Sequence, residues 1–417
     1  MCMEFPLNYP KFSRFMIVLS ITVLLLASTL SPVRAQAPVI NEHPPVPLGE
    51  APESSLSVTD SSETTPLLSL PALKAVIVVG EIDGPTGTWT LKEVANANLA
   101  KTELQANGVQ VTTFYPPIAS WDAVRTAAAG AHFFMYRGHG VSWGGTPPVV
   151  GGFYLGPNMF ISSDAIRTGL QLAPNAIVML YGCYTAGTSS GDLTSITLTE
   201  AKRRVAMYSD PFFDFGAGGY FADWFGDAFQ MYVRYLFQGM TQLQAYQAYF
   251  DYNPSLVNIT THPDHPSLAL WLGWDVWDNK TQYNNAFAGH ANATLVDLFN
   301  TQMVVTPNSA SLITTAAAPA LPTAFGVYSS TIFNFNWSAS LSLPNGGSWA
   351  SLATPSGVSG TAATVILNPA GLAPGTYTAS LRVQATQPGV LLNDQTIPVT
   401  LVVADQISKV FIPLVKR

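Results

Sequence analysis

From Lys74 onward the chain is written in short apolar runs separated by amphipathic stretches. AVIVVG (75–80) is a β-branched run of the kind that fills a strand covered on both faces. TLKEVANANLAKTELQAN (90–107) predicts a helix, with Gly108 just past its C-terminus. VQVTTF (109–114) predicts a second strand, SWDAVRTAAA (120–129) a helix capped by Ser120, and HFFMY (132–136) a third strand. Residues 141–162 predict a hairpin or long loop, SSDAIRTGLQL (162–172) a helix, and AIVMLYG (176–182) a fourth strand. RVAMYSD (204–210) predicts one more strand, followed by a long aromatic helix near 217–238 and a helical QLQAYQAYF (242–250). Asp223, Asp227 and Arg234 in the aromatic stretch favour a core helix over a membrane-seeking one. Strands alternating with helices imply crossover connections and a mostly parallel sheet flanked by helices, an α/β fold. In such sheets ligands bind beyond the carboxyl ends of the strands.

Near residue 302 the helical period vanishes and alternation takes over. TYTASLRV (376–383) places Tyr377, Ala379, Leu381 and Val383 on one face, and IPVTLVV (397–403) does the same with Ile397, Val399, Leu401 and Val403. TIFNFNW (331–337) sets Ile332 apart from Phe333, Phe335 and Trp337. About 100 residues of period-two strands and Gly/Pro turns predict a second, all-β sandwich domain. LAPGTY resembles the tyrosine corner of immunoglobulin-like folds, though without the cysteine pair of antibody domains. With GSWASLATPSGVSG (347–360), this part is similar to BACON-like, immunoglobulin-like modules of secreted bacterial proteins. That resemblance implies a spacer, or contact with a cell surface, protein or carbohydrate.

The N-terminus changes the picture. Lys11 and Arg14 precede FMIVLSITVLLLASTL (15–30) and SPVRAQA, the pattern of a secretory signal peptide cut after Ala35 or Ala37, with an uncleaved anchor as the alternative. Residues 36–72, rich in Pro, Ser, Thr and acids, predict a disordered linker or propeptide. The expected organisation is then signal 1–35, leader 36–72, α/β domain 73–301, β-sandwich 302–404 and tail 405–417. The mature chain has no predicted membrane span and an extracellular destination, secreted or cell-surface. The formal charge is −7, and loss of Lys11, Arg14, Arg34 and Glu4 makes it −9; with no basic cluster, nucleic acid is not an expected partner.

Of two cysteines, Cys2 would leave with the signal and Cys183 would remain alone. A lone sulfur in an exported protein is core filling, an intermolecular link or a nucleophile. Cys183 follows the fourth strand in LYGCYTAG, and His139 follows the third in YRGHG, so both belong to one rim of the predicted sheet. A thiol attacks carbonyls as thiolate, and a histidine can take its proton and return it to the leaving amine. The N–H groups of Gly140 and Cys183 would serve an oxyanion, and Gly138 and Gly182 let the chain turn off each strand.

These two motifs, in this order and spacing, resemble the caspase-like fold of clan CD cysteine peptidases. The GHG and GC contexts are most similar to CHAT, separase and gingipain patterns, over residues 74–250. The resemblance implies a cysteine endopeptidase with Cys183 as nucleophile, His139 as general acid/base, and Gly140 and Cys183 forming the oxyanion hole. Its substrate would be a peptide or protein, and no cofactor would be required. The caspase signature around the cysteine is absent, so aspartate specificity is not implied. The rival class is a catalytically dead scaffold serving as a surface adhesion or binding protein.

Several relatives receive a basic side chain on a buried acid. Asp83, Asp210 and Asp214 are the substrate-binding candidates here, each against a simpler reading as a turn or loop acid. His262, Asp264 and His265 in THPDHPS read as a polar loop rather than a metal site. The acids of WDVWDN (274–279) leave calcium open, although the EF-hand pattern is missing. His132 begins a strand and reads as structural.

Overall fold

The structure is a computed structural model in which residues 2–5, 73–277, 279–344 and 346–406 are described. Apart from a short strand Cys2–Phe5, the expected signal segment and leader lie outside the described residues, as does the tail from residue 407.

The main sheet consists of β1 (Lys74–Val79), β2 (Gln110–Phe114), β3 (Phe133–Arg137), β4 (Ile177–Tyr181), β5 (Gly219–Asp223), β6 (Val257–Thr261), β7 (Ala269–Trp277) and β8 (Lys280–Gly289). Its order is β6-β7-β8-β5-β4-β3-β1-β2. Strands β1 to β5 are mutually parallel where they pair, and β8, β7 and β6 continue from β5 as an antiparallel meander.

Alternation along the strands divides the core in two. Val76, Val78, Phe134, Tyr136, Val178 and Leu180 face one layer, with Val124 of helix α2 (Trp121–Ala128), Ile166 of α3 (Ser163–Gly169) and Val205 and Phe212 of α4 (Leu198–Phe213). Ala75, Ile77, Val79, Phe133, Met135, Ile177 and Met179 face the other. There they meet Ala97 and Leu104 of α1 (Thr88–Ala106), Tyr232 and Leu236 of α5 (Ala228–Phe237), and Tyr246 of α6 (Gln242–Ala248). A strand covered on both faces has no polar side, which is why 75–79 and 177–180 read as unbroken apolar runs. Ser120 caps α2 as predicted, its side chain accepting from the Ala123 N–H.

Two predictions fail between residues 204 and 238. RVAMYSD lies inside α4, whose buried Ala201, Arg204, Val205, Tyr208 and Phe212 repeat every three or four residues. Pro211 sits within this helix, so its missing N–H is not a boundary here. The aromatic segment is not one helix: GYFAD is β5, fully buried between β4 and β8, and the helix begins only at Ala228. The meander β6–β8 is absent from the predicted elements.

Beyond a one-turn helix Leu295–Leu298, the chain forms two further sheets. One has the order Met303–Thr306, Leu321–Ser329, Thr361–Leu367, Ala350–Leu352; the other Ala310–Thr315, Asp394–Ala404, Gly375–Ala385, Asn336–Ser342, Ser356–Val358. Phe325 and Val327 of the first share a core with Trp337, Leu381, Val383, Val399, Leu401 and Val403 of the second. Tyr377 donates its hydroxyl to the Ala373 carbonyl at 2.8 Å, four residues upstream, as the LAPGTY motif suggests. Phe333 packs against both this core and that of the α/β part, within 5.6 Å of Phe237 and 6.1 Å of Phe299 between ring centroids. No helix among the described residues is long and apolar enough to cross a membrane.

Candidate active site

Strands β3 and β4 are parallel neighbours with Arg137 opposite Tyr181. Each chain leaves the sheet at the next residue, through Gly138 and Gly182, so His139 and Cys183 follow at the same level on adjacent loops. These loops touch backbone to backbone. A Cβ at Gly140 would fall on the Cys183 carbonyl, and one at Gly182 would lie 2.9 Å from the Gly138 oxygen and 3.0 Å from the Gly140 nitrogen. Glycine is required by space.

The His139 ring is buried, with Nε2 3.0 Å from the Ile82 carbonyl. A carbonyl can only accept, so Nε2 carries the proton and the lone pair of the neutral ring is on Nδ1. The edge of the ring meets Tyr154, 5.7 Å between centroids.

Ile82 is itself fixed by the start of α1. Its N–H donates to Thr90 Oγ1 at 2.9 Å, while the Asp83 carboxylate accepts from the N–H groups of Trp89 and Thr90, both at 3.0 Å. Gly87 at the N-cap position has no side chain for this task, so Asp83 performs it from outside the helix. The Trp89 N–H, more than any other partner, holds the Asp83 carboxyl below its ordinary range. Asp83 is therefore on the predicted rim, where it caps α1 and anchors the carbonyl behind His139.

Cys183 is 8% exposed, and its Sγ lies 3.6 Å from the Ser190 hydroxyl. The sulfur is disulfide-bonded, so it is not a free thiol in this state. The prediction of a lone cysteine thus does not hold for the full chain. The strand Cys2–Phe5 runs parallel to Gly140–Trp143, immediately after His139. Directly after Cys183, Tyr184 adopts a φ of +72°, a conformation that is costly for a bulky residue. Its N–H donates to Thr188 O at 2.9 Å, its hydroxyl to Ser142 Oγ at 3.2 Å, and the Arg204 guanidinium stands 4.9 Å over its ring. Arg204 also grips Asp192 with two bonds of 2.7 and 2.9 Å and the Gly187 carbonyl at 3.1 Å, which fixes the loop after the cysteine.

Beneath the two loops lies a buried ion pair that sequence reasoning missed. Arg137 Nε donates to Glu93 Oε2 at 2.6 Å, with side chains 0% and 3% exposed. The guanidinium stacks 4.3 Å from the Tyr181 ring and 4.7 Å from Phe229, leaving Nη1 without a hydrogen-bond partner. The signal was a charge at the end of FFMYR, immediately before the histidine loop.

Asp210 and Asp214 belong to the other end of the sheet. Residues following α4 bond to the start of β4: Asn175 N–H donates to Gly216 O, and Gly218 N–H to Ala176 O. Both acids are therefore at the amino-terminal rim, away from Cys183, and both pair with Arg167. They are structural acids, not walls of a substrate pocket beside the thiol. His265 joins them, with Nε2 3.0 Å from Asp210 Oδ1, making a group of three potential metal ligands already countered by Arg167. His262 is buried beside them. Its Nδ1 accepts from the N–H groups of Asp264 and His265, and desolvation chiefly, then His265, pulls its pKa down to about 4. His132 is structural as predicted, accepting from the Lys74 N–H and meeting Phe299 edge-on. Of the WDVWDN acids, Asp275 lies in β7 and Asp278 falls outside the described residues.

No protein-family profile matches the chain, and no curated protein matches it. Among solved structures, the Arg-specific cysteine proteinase gingipain R is similar over 80% of this chain and 67% of its own, at 15% identity and a TM-score of 0.26. The ASH / PapD-like domain of human CEP192 covers 26% of this chain and 87% of its own, at 13% identity and a TM-score of 0.21. The VesB protease of Vibrio cholerae covers 35% and 49%, at 6% identity and 0.17. Scores this low carry no inference about fold or activity.

Proposed function

We propose that the chain is an exported cysteine endopeptidase of caspase-like architecture, acting through Cys183 and His139. The observation that carries this is the register of β3 against β4, which delivers both residues to touching loops at one sheet end. Export rests on the signal-like residues 15–37 alone.

The chemistry follows from the tautomer. With Nε2–H held by Ile82 O, the Nδ1 lone pair is the base that would take the thiol proton. The thiolate would add to a peptide carbonyl, breaking its π bond and moving charge onto oxygen. The N–H groups of Gly140 and Cys183, on loops in contact, are the proposed donors to that oxyanion. Collapse expels the amine, which takes the proton from His139; water then releases the thioacyl enzyme by the same route.

A disulfide sulfur cannot start this sequence, so activity belongs to a form in which that bond has been reduced. The disulfide and the burial of both side chains favour the rival reading of an inert binding scaffold. A peptide-based thiol electrophile separates the two. After mild reduction, stoichiometric labelling of Cys183 that is lost in His139→Ala supports the peptidase. Equal labelling of both proteins, or none in either, refutes it.

A further inference from the structure

A cavity of about 380 Å³ opens at the same sheet end as Cys183, between the turn after α6 and strands β7 and β8. Phe250, Asp251, Trp274, Asp275 and Asn284 are among the residues lining it. Its place follows from the ladder: Gly273 pairs with Asn285, Asn285 with Asp223, and Asp223 ends β5, the strand beside β4. At about 4.8 Å per strand, the pocket is roughly 10–14 Å from the cysteine loop, the reach of three or four extended residues.

Its chemistry is one-sided. Asp251 and Asp275 have no Lys or Arg partner among the described residues, whereas Glu93, Glu103, Asp192, Asp210 and Asp214 each have one. Asp251 is steadied by neutral groups instead: Asn285 donates to it and in turn accepts from the Tyr246 hydroxyl. Phe250 is 67% exposed and forms a wall with Trp274. Carboxylates and aromatic faces around a side-chain-sized void suit a guanidinium or ammonium group.

We propose that this pocket receives a cationic side chain of the bound peptide, three or four residues from the bond at Cys183; this rests on the peptidase reading. The buried electrostatics agree. Burial pushes Asp251 up to about 6, with Asn285 opposing and Asp275 adding to the rise. Asp223, fully buried behind it and bonded to Tyr232, is pushed well above its ordinary value by burial and by Asp251. A bound cation would relieve both.

The test uses the full chain with Cys183→Ala, so that binding is read without turnover. Calorimetric titration compares octapeptides carrying one arginine, walked along the sequence, with the same peptides carrying citrulline. The expected result is a preference of about tenfold or more for arginine at one position, abolished in Asp251→Asn/Asp275→Asn. Asp251→Asn keeps the shape of the side chain, and a cooperative unfolding transition at or above the parent's melting temperature checks the fold. Equal affinity for the two peptide sets, no binding of either, or a preference that survives the double substitution overturns the pocket. Electrophile labelling of the Cys183 protein is scored separately. An unlabelled thiol with a retained arginine preference sinks the peptidase reading alone; labelling with no preference sinks the pocket alone.

Discussion

At the amino-terminal rim of the main sheet, Asp210 and Asp214 share Arg167, and His265 closes the group. At the carboxyl rim, Asp251 and Asp275 face a cavity with no Lys or Arg paired to them among the described residues, and glycines bring the histidine and cysteine loops into contact. Both rims hold acids and an imidazole, so residue type does not separate them. What separates them is whether the fold supplies the counter-charge. A satisfied group is scaffold, while an unsatisfied one in a cleft is a place for a ligand.

The contrast can be broken experimentally, and the buried pair under the carboxyl rim should give the largest effect. Glu93→Ala strands the Arg137 guanidinium in the core and should cost about 3–5 kcal/mol, read as a fall in the urea midpoint. Adding Arg137→Met should recover much of it, and a double variant no better than the single would show that charge is not the cause. Gly140→Ala should cost about 1–3 kcal/mol, because its Cβ has no space against the Cys183 carbonyl. The same substitution should abolish electrophile labelling of the reduced protein.

The two rims should also differ in the sign of their pH dependence. Asp251 titrates near 6 in the fold against 3.8 ordinarily, so the folded chain keeps a proton the unfolded one has released. Its contribution is therefore lost as pH rises from about 4 to 6, and Asp251→Asn should flatten that part of the stability curve. His262 is the reverse, at about 4 against 6.5: stability falls as pH drops through that window, and His262→Gln should flatten it. Urea midpoints across the range measure both slopes. The smallest effect belongs to Arg167→Met, at most about 1 kcal/mol for a partly exposed cluster, with labelling of Cys183 unchanged.

Much of the carboxyl rim was legible in the sequence because strand periodicity is local. An apolar run ending in Gly-His-Gly, and another in Gly-Cys, reveal strand ends without further information. Residues 204–210 read as a strand when taken alone, because the helical spacing of Ala201, Arg204, Val205, Tyr208 and Phe212 shows only over a longer window. Asp83 stays open between a substrate acid and a turn acid in the sequence, because nothing local shows that Gly87 leaves α1 without a cap. The pairing of Arg137 is not legible locally, since its partner Glu93 is 44 positions away on another element.

The sequence by itself determined which faces are buried, where the strands stop and which reactive side chains stand at their ends; all of these follow from period and composition over a few residues. Tertiary structure decided the rest: that β3 and β4 are neighbours in register, that Asp210 and Asp214 lie at the opposite rim with Arg167, and that Asp251 pairs with no Lys or Arg among the described residues. Charge pairing and loop contact join residues tens of positions apart, and only the folded chain sets those distances.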